Sequence, residues 1–575
     1  MFTSQGAARV QEIIEKVNAR VTPDMNDSLN APYNDDEIDA ALQGIGDLKA
    51  PGPDGMPAIF FKRFWDIVGA RVRDEVKMVL NGGDIPDGWN ETTVVLIPKV
   101  KDPQQLKDLR PISLCNVLYK IISKAIANRL KVYLGETISP NQSAFVPGRL
   151  ITDNVLVAYE LTHFIKNKRR GNEGYMALKL DMSKAYDRVD WNFFEAMLSR
   201  LGFDHTFVQL IMKCVRTVRY RIKVNGELTD EIMPQQSLRQ GDPLSPYLFL
   251  MVAEGFSSLL HHAEASNMIQ GIQICQGAPS VSHLLFADNS LILMKASEAN
   301  AEQLQSILDL YESSSGQKIN KEKSAVMFSR NTKANRRDSI KRTLAMTSEM
   351  VNEKYLGLPV YVSHSKKKAF QYLKDRIWNR IQGWREKLLS KARKEILIKA
   401  VAQAIPTYAM ACFDLTKSFR DDASAMICRY WWSQQDKDKM HWVSWDKMLQ
   451  TKSNGGLGFR DLHAFNQAML AKQGWRLIQN PGSLCARVLG AKYYPDGHVL
   501  NAQKMAGMSY TWRSVLKGIS LLKKGIIWRV GDGASIDIWN DPWLPCGVTR
   551  KPSTIRGQTV LHRVSELLNP DTFMG

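Results

Sequence analysis

Long apolar runs are missing from this 575-residue sequence. None reaches the roughly 18 residues that a membrane-crossing helix needs. The first stretch, MFTSQGAARVQEIIEKVNAR, has no apolar core of the secretory kind, and Glu12 and Glu15 do not suit a transit peptide. Cysteine is sparse: the seven, at 115, 214, 275, 412, 428, 485 and 546, form no Cys-x-x-Cys pair, and no histidine cluster stands at zinc spacing. They read as reduced, mostly buried thiols of a protein that is not secreted. No internal repeat and no long low-complexity linker is present.

Acidic residues are outnumbered, 58 Asp and Glu to 77 Lys and Arg, giving a net charge of +19. Such an excess points to a polyanionic partner, nucleic acid being the default. The excess is concentrated: residues 361–400 hold twelve Lys or Arg against three acids, whereas 26–47, with NDDEID, is acidic. A hydrophobic content of 44% supports large cores, and the length suggests three or four modules. The first 22 residues read as a helix, followed by a polar loop to about Asp35 and a short helix over Asp36–Leu48. KAPGPDGMP is a turn cluster, AIFFKRFWDIV a helical run, TTVVLIPKVK a strand and VLYKIISKAIANRLKVYL an amphipathic helix. Residues 1–410 therefore read as mixed α/β and the rest as mainly helical and Trp-rich.

Two places carry chemistry. In YMALKLDMSKAYDRVDW, Met176, Leu178 and Leu180 alternate with Tyr175, Ala177, Lys179 and Asp181, so Asp181 stands where a strand ends. In HLLFADNSLILM, the strands Val281–Phe286 and Ser290–Lys295 flank a turn bearing Asp288 and Asn289. Taken singly, Asp181 is an ordinary helix N-cap and Asp-Asn is ordinary turn chemistry. Taken together, two exposed carboxylates on neighbouring strand ends in a basic chain suit phosphoryl transfer, with Mg²⁺ on hard oxygen ligands.

KLDMSKAYDRVDW, SLRQGDPLSPYLFLMVAEGFSSLL and LLFADNSLIL, in this order, resemble the palm of reverse transcriptases. KAPGPDGMP, VVLIPKVKDPQQLKDLRPISLCNVLYKIISKAIANRLK, NQSAFVPGRLITDNVLVAYE, SGQKINKEKS, KYLGLPV, GWREKLLSKARKEILIKAV, GGLGFRDL and WNDPWLP refine the match to plant non-LTR (LINE-type) retrotransposons, over about residues 36 to 546. The resemblance implies an α/β (α+β) right-hand polymerase fold with an antiparallel palm sheet. Residues 1–47 would be an N-terminal helical extension, 48–174 fingers, 175–360 palm, 361–420 a basic helical thumb and 421–575 a helical, Trp-rich C-terminal region. It also implies an RNA-directed DNA polymerase whose partners are an RNA template, a DNA primer and deoxynucleoside triphosphates. The cofactor would be two Mg²⁺ ions, or Mn²⁺ in their place, and the setting a ribonucleoprotein of the nucleus, the cytoplasm or both.

Residue by residue, the resemblance makes Asp181 and Asp288 the metal-binding carboxylates and Tyr186 the aromatic that excludes a ribose 2′-hydroxyl. Gln240 and Gly241 would line the nucleotide and template pocket. Arg110, with Lys99 or Lys101, would clamp the triphosphate, and Lys323 would protonate departing pyrophosphate, with Lys318 and Lys321 competing for that role. KYLGLPV matches a primer-gripping turn. Lys366, Lys367, Lys368, Arg376, Arg380, Arg385, Lys391, Arg393 and Lys394 would track the nucleic-acid backbone. Trp378 and Trp384 read as core in preference to base-stacking residues, and the aromatics of CRYWWSQQ and HWVSW, which could stack on bases, are better suited to core packing.

The sequence departs from the family at Asn289, where a second Asp is usual. Loss of one negative charge beside two cations implies greatly reduced catalysis. Nothing before Asp36 is long enough for the upstream endonuclease of the family, and the chain stops at Gly575 before a zinc or RNase H segment, so autonomous transposition is not expected. The alternative to an impaired polymerase is a catalytically inactive nucleic-acid-binding remnant or host-adopted protein. A group II intron maturase shares the palm, but the tail through WNDPWLP argues against it.

Overall fold

A computed structural model describes residues 3, 6–350, 354–362, 365–385, 387, 389–433, 440–545, 547, 549–552 and 561–568. The chain divides into two units, Met1–Tyr361 with Ser483–Lys492, and Val362–Gly482 with Tyr493–Gly575. Among the described residues, no helix is long and apolar enough to cross a membrane. Five of the six described cysteines are buried, and Cys546 lies outside the described residues.

The first unit holds two four-stranded sheets built from β1 (Glu91–Pro98), β2 (Leu109–Cys115), β3 (Tyr175–Asp181), β4 (Arg219–Val224), β5 (Glu227–Leu228), β6 (His283–Phe286), β7 (Asn289–Lys295) and β8 (Ala325–Phe328). One sheet runs β2-β1-β4-β5 and is mixed, β1 pairing antiparallel with β2 and parallel with β4. The other runs β6-β7-β3-β8 and is antiparallel throughout. Met176, Leu178 and Leu180 are buried on one face of β3, as the alternation requires. Ala177, on the opposite face, is buried too. The helix Ile151–Asn167 packs on β3 and β6, so the sheet is covered there.

The amphipathic helix expected after β2 forms as Val117–Thr137, and the acidic segment forms the helix Asp35–Gln43 with a capping box at Asn34 and Glu37. The aromatic run breaks at Phe64 into Ala58–Arg63 and Trp65–Leu80. The N-terminal helix is a correction, because only Val10–Ile14 is helical. Ile13, Val17 and Val21 are buried at helical spacing, yet the Arg20 and Val21 amides donate to the Leu201 carbonyl instead of continuing a helix. Tertiary hydrogen bonds and two β-branched valines override the periodicity. The expected loop before Asp35 contains a helix, Pro23–Asn30, started by the Thr22 cap and Pro23 in the first turn.

KYLGLPV forms a two-residue hairpin between β9 (Lys354–Tyr355) and β10 (Leu358–Pro359), with Leu356 and Gly357 at φ 48° and 80°. The second unit is helical. The helices Leu462–Gln479 and Tyr510–Gly525 pack closely at Gly518, where a Cβ would lie 2.3 Å from the Ala471 nitrogen. Lys366–Arg385 buries Phe370, Leu373, Ile377 and Ile381. Trp378 lies off that stripe and is 42% exposed, which corrects its reading as core; Trp384 packs against Tyr430. Tyr430 and Trp431 are buried as expected, whereas Trp442 of HWVSW is 76% exposed.

Candidate active site

The hairpin is tighter than the sequence suggests. β6 and β7 are joined by Ala287 and Asp288 alone, Phe286 pairs with Asn289, and Ala287 takes a left-handed φ of 51°. Asn289 is thus the first residue of β7, and across the sheet it pairs directly with Asp181 at the end of β3. The register brings Asp181, Asp288 and Asn289 to one edge, all half-buried rather than fully exposed. The Asn289 amide donates to Asp288 Oδ1 at 3.2 Å. Burial raises the Asp288 pKa and the charge of Asp181 raises it further, while Arg110 and the Asn289 amide act in the opposite direction.

Asp181 is anchored through its own backbone, and Asp288 through the strand and turn residue that precede it. The Asp181 amide donates to Ser324 Oγ at 3.3 Å and its carbonyl accepts from Asn320 at 2.8 Å, so KINKEKS wraps the end of β3. NQSAFVPGR holds the other side. Asn141 and Ser143 bond the Leu285 backbone, Asn154 Nδ2 donates to the Leu285 carbonyl at 2.7 Å, and Gln142 Oε1 accepts from the Ala287 amide at 3.1 Å. These bonds cover β6, an edge strand that would otherwise present unpaired backbone groups.

Tyr186 follows in a short 3₁₀ turn, with its ring stacked on Phe249 at 5.0 Å and 12°. Burial and the charge of Asp288 raise its phenol pKa. The RQGDP loop lies against β2, where the Gln240 carbonyl accepts from the Ser113 amide at 2.8 Å. Gly241 has φ 126°, and a Cβ there would sit 2.7 Å from the Ser113 carbonyl oxygen, so only glycine permits this approach. Behind the loop, Arg239 and Asp242 form an ion pair of 3.1 Å, each residue 5% exposed. Arg239 also bonds Asn90, the Tyr119 hydroxyl and the Cys214 carbonyl, and Tyr119 donates to Asp242 at 3.0 Å.

Cations cluster around Lys99. Burial lowers the Lys99 pKa, and Arg110, Lys323 and Lys184 lower it further through their charges, while Asp187 opposes them. Arg110 acts on both Lys99 and Asp288, which joins the two groups. The register joins Asp181, Asp288 and Asn289, the charge of Asp288 reaches Tyr186, that of Arg110 reaches Asp288 and Lys99, and Asp187 connects Lys99 with Gln240. Lys101 stands exposed beyond β1, outside this network among the described residues. Asp187, which sequence reasoning passed over, is 5% exposed, and the Gln240 amide approaches it at 3.5 Å. Burial raises its pKa to about 6 against the pull of Lys184, Lys99, Arg188 and Gln240. The available signal for Arg239 and Asp242 was one charge of each sign bracketing Gln240-Gly241.

The basic residues of 366–394 lie in the second unit. Lys367, Lys368, Arg376, Arg380 and Arg393 are exposed. Lys366 lies over the Tyr510 ring, Lys391 over Trp431 and Trp432, and Arg385 over Trp378. Lys394 is not on this surface. It is 9% exposed, and its ammonium donates to the carbonyls of Tyr430 and Ser433 at 3.4 and 2.6 Å. Those carbonyls end the helix Lys417–Trp432, where the dipole favours a cation.

Asp181 and Asp288 offer only oxygen ligands, and the charge of Asp181 acts on Asp288, an arrangement that a hard divalent cation would relieve. Among the described residues, no group of three His, Cys, Asp or Glu side chains could hold a metal. Asn289 stands where such a third acid would complete the edge.

Residues 97–373 match the family model described as reverse transcriptase (RNA-dependent DNA polymerase). The chain is 27% identical over 569 residues to the uncharacterized 149 kDa protein of transposon TX1 from Xenopus laevis, covering 94% of this chain and 42% of that protein. It is 41% identical over 143 residues to an uncharacterized mitochondrial protein of Arabidopsis thaliana, covering 24% of this chain and 93% of that one. It is 29% identical over 266 residues to the retrovirus-related Pol polyprotein of type-1 retrotransposable element R2 from Popillia japonica, covering 46% of this chain and 35% of the polyprotein. The chain thus spans less than half the length of the two transposon proteins.

Proposed function

The chain carries a reverse transcriptase domain of the non-LTR retrotransposon type, and on that premise we propose that it copies RNA into DNA by two-metal nucleotidyl transfer at Asp181 and Asp288. The observation that carries this reading is the meeting of those acids at neighbouring strand ends, where the charge of Arg110 reaches Asp288. The family works with a divalent metal, an RNA template, a primer and nucleotides. Asp181 and Asp288 would hold two Mg²⁺ ions, or Mn²⁺. Bound there, the ions supply positive charge that makes the primer hydroxyl acidic and offsets the triphosphate.

The primer 3′ oxygen bonds to the α-phosphorus of a deoxynucleoside triphosphate, and the bond to pyrophosphate breaks. Arg110, with its fork of donors, and Lys99, as a point charge, bind the triphosphate oxygens. Lys323 gives a proton to the departing pyrophosphate. Tyr186, backed by Phe249, blocks a ribose 2′-hydroxyl, and Gln240 and Gly241 shape the floor of the pocket. In this reading β1, β2 and the helices around them serve as fingers, the β6-β7-β3-β8 sheet as palm, 354–359 as primer grip and the basic helix Lys366–Arg385 as thumb. The element is of plant type, and the protein works in a ribonucleoprotein of the nucleus or cytoplasm.

Asn289 slows this chemistry. It pairs with Asp181 and spends its amide on Asp288, withdrawing acceptor capacity where the family carries a further charge. The same observation favours a second reading, a nucleic-acid-binding remnant without turnover. Mg²⁺-dependent extension of a DNA primer on an RNA template separates the two. The polymerase reading expects incorporation that Asp181→Ala abolishes; equal incorporation by natural chain and variant would refute it.

A further inference from the structure

The second unit contains a cavity of about 100 Å³ lined by Lys366, Asp414, Thr416, Tyr510, Arg513, Ser514 and Lys517. Its floor is the Tyr510 ring, stacked on Phe413 at 5.9 Å and 18°, with the Lys366 ammonium 4.6 Å above it. The Tyr510 hydroxyl donates to the Asp414 carbonyl, and the Ser514 hydroxyl to the Tyr510 carbonyl. The one acid is already engaged: Asp414 takes Arg420 at 3.1 Å and Lys517 at 2.5 Å. Arg513 is exposed and has no ion-pair partner among the described residues.

We propose that this cavity is a phosphodiester-binding site for a nucleic-acid strand, formed by Lys366, Arg513 and Lys517 around Asp414 and Tyr510. Three cations line it and a fourth, Arg420, pairs with its only acid, so the local charge stays positive. Asp414 holds two of those cations in place, and Tyr510 and Phe413 give the pocket a rigid apolar base. The volume accommodates a phosphate group with bridging water. Arg513 contributes a planar fork, and Lys366 and Lys517 contribute point charges, a combination that suits phosphate oxygens. Thr416 caps the helix Lys417–Trp432 and Tyr510 begins Tyr510–Gly525, so the positive ends of two helices add to the field. The site gives residues 510–517 a chemical role and does not depend on turnover at Asp181 and Asp288.

Equilibrium binding of the full chain to a short unstructured single-stranded RNA, followed by fluorescence anisotropy over a series of KCl concentrations, tests it. Arg513→Gln removes an exposed side chain without disturbing the core. One lost phosphate contact lowers the slope of log K against log salt by about 0.7, which is about fivefold weaker binding at about 0.1 M salt. Arg513→Gln together with Lys517→Gln is expected to double the slope change. Lys524→Gln, at the far end of the same helix, removes an equal charge and is expected to leave the slope unchanged. Two results would overturn the proposal: no change in Arg513→Gln, or an equal change in Lys524→Gln, which would make the effect a general field. Competition by inorganic phosphate at constant ionic strength is expected to be negligible, and ready displacement of the RNA would reassign the pocket to free phosphate.

Discussion

Removing the Arg239 guanidinium isolates the buried pair behind the nucleotide pocket. Arg239→Met leaves the Asp242 carboxylate, 5% exposed, with only the Tyr119 hydroxyl and the Leu244 amide, each at 3.0 Å. Asn90 also loses a donor to its side-chain oxygen. Breaking one partner of a buried ion pair costs about 3–5 kcal/mol. The two retained bonds place the expected loss near the lower end, about 3 kcal/mol, or roughly 150-fold in the opening equilibrium. Arg239→Met with Asp242→Asn removes both charges, keeps an acceptor for the Leu244 amide and turns a donor towards the Tyr119 oxygen, so it is expected to lose at least about 1.5 kcal/mol less than the single variant. A two-unit chain need not unfold in one step, so native-state hydrogen exchange of amides in β1, β2 and Val117–Thr137 is the suitable assay. Equal losses in the single and double variants would refute the reasoning, because the cost would then lie in lost packing and not in a stranded charge.

Two further predictions concern buried carboxylates. Burial raises Asp187 from 3.8 to about 6, so its proton contributes stability that is complete below about pH 4 and lost as the pH rises through about 6. Asp187→Asn is expected to flatten that window and to gain about 3 kcal/mol on the natural chain between about pH 4 and 7; urea midpoints that change in parallel with pH would contradict this. Glu160 is 0% exposed and pairs with Lys492 at 2.5 Å across 332 residues of sequence. Lys492→Met is expected to cost the first unit about 3–5 kcal/mol, and adding Glu160→Gln to restore much of it. Unchanged proteolytic resistance of the first unit in Lys492→Met would show that residues 483–492 are not needed there.

The parts of the site that were legible in the sequence are those governed by short-range rules. β3 runs from Tyr175 to Asp181 because a period of two can be read from seven residues, and the hairpin acid Asp288 follows from the same rule. The one-residue difference at Asn289 was not legible, since it depends on whether the turn takes two residues or three. That difference matters, because pairing places the amide opposite Asp181. Arg239, Asp242 and Asp187 were missed because charged residues are ordinarily solvated, and only the tertiary fold supplies the partners that let these be buried. Lys394 failed for the converse reason: a run rich in lysine reads as one surface, yet helix-end carbonyls from 36 and 39 residues further on draw one of them inward.

The central claim is that Asp181 and Asp288 form a polymerase edge weakened by a neutral residue at position 289. Its most direct test is the rate of Mg²⁺-dependent DNA synthesis on a primed RNA template by the natural chain and by Asn289→Asp, with Asp181→Ala as the blank. A unit charge a few ångströms from the reacting phosphates is worth about 2–4 kcal/mol at protein-surface dielectric, so the restored acid is expected to speed synthesis on the order of 10²-fold. Slow synthesis by the natural chain, a large gain in Asn289→Asp and none in the blank would support the account. Synthesis that is unchanged by Asn289→Asp, or that survives Asp181→Ala, would contradict it.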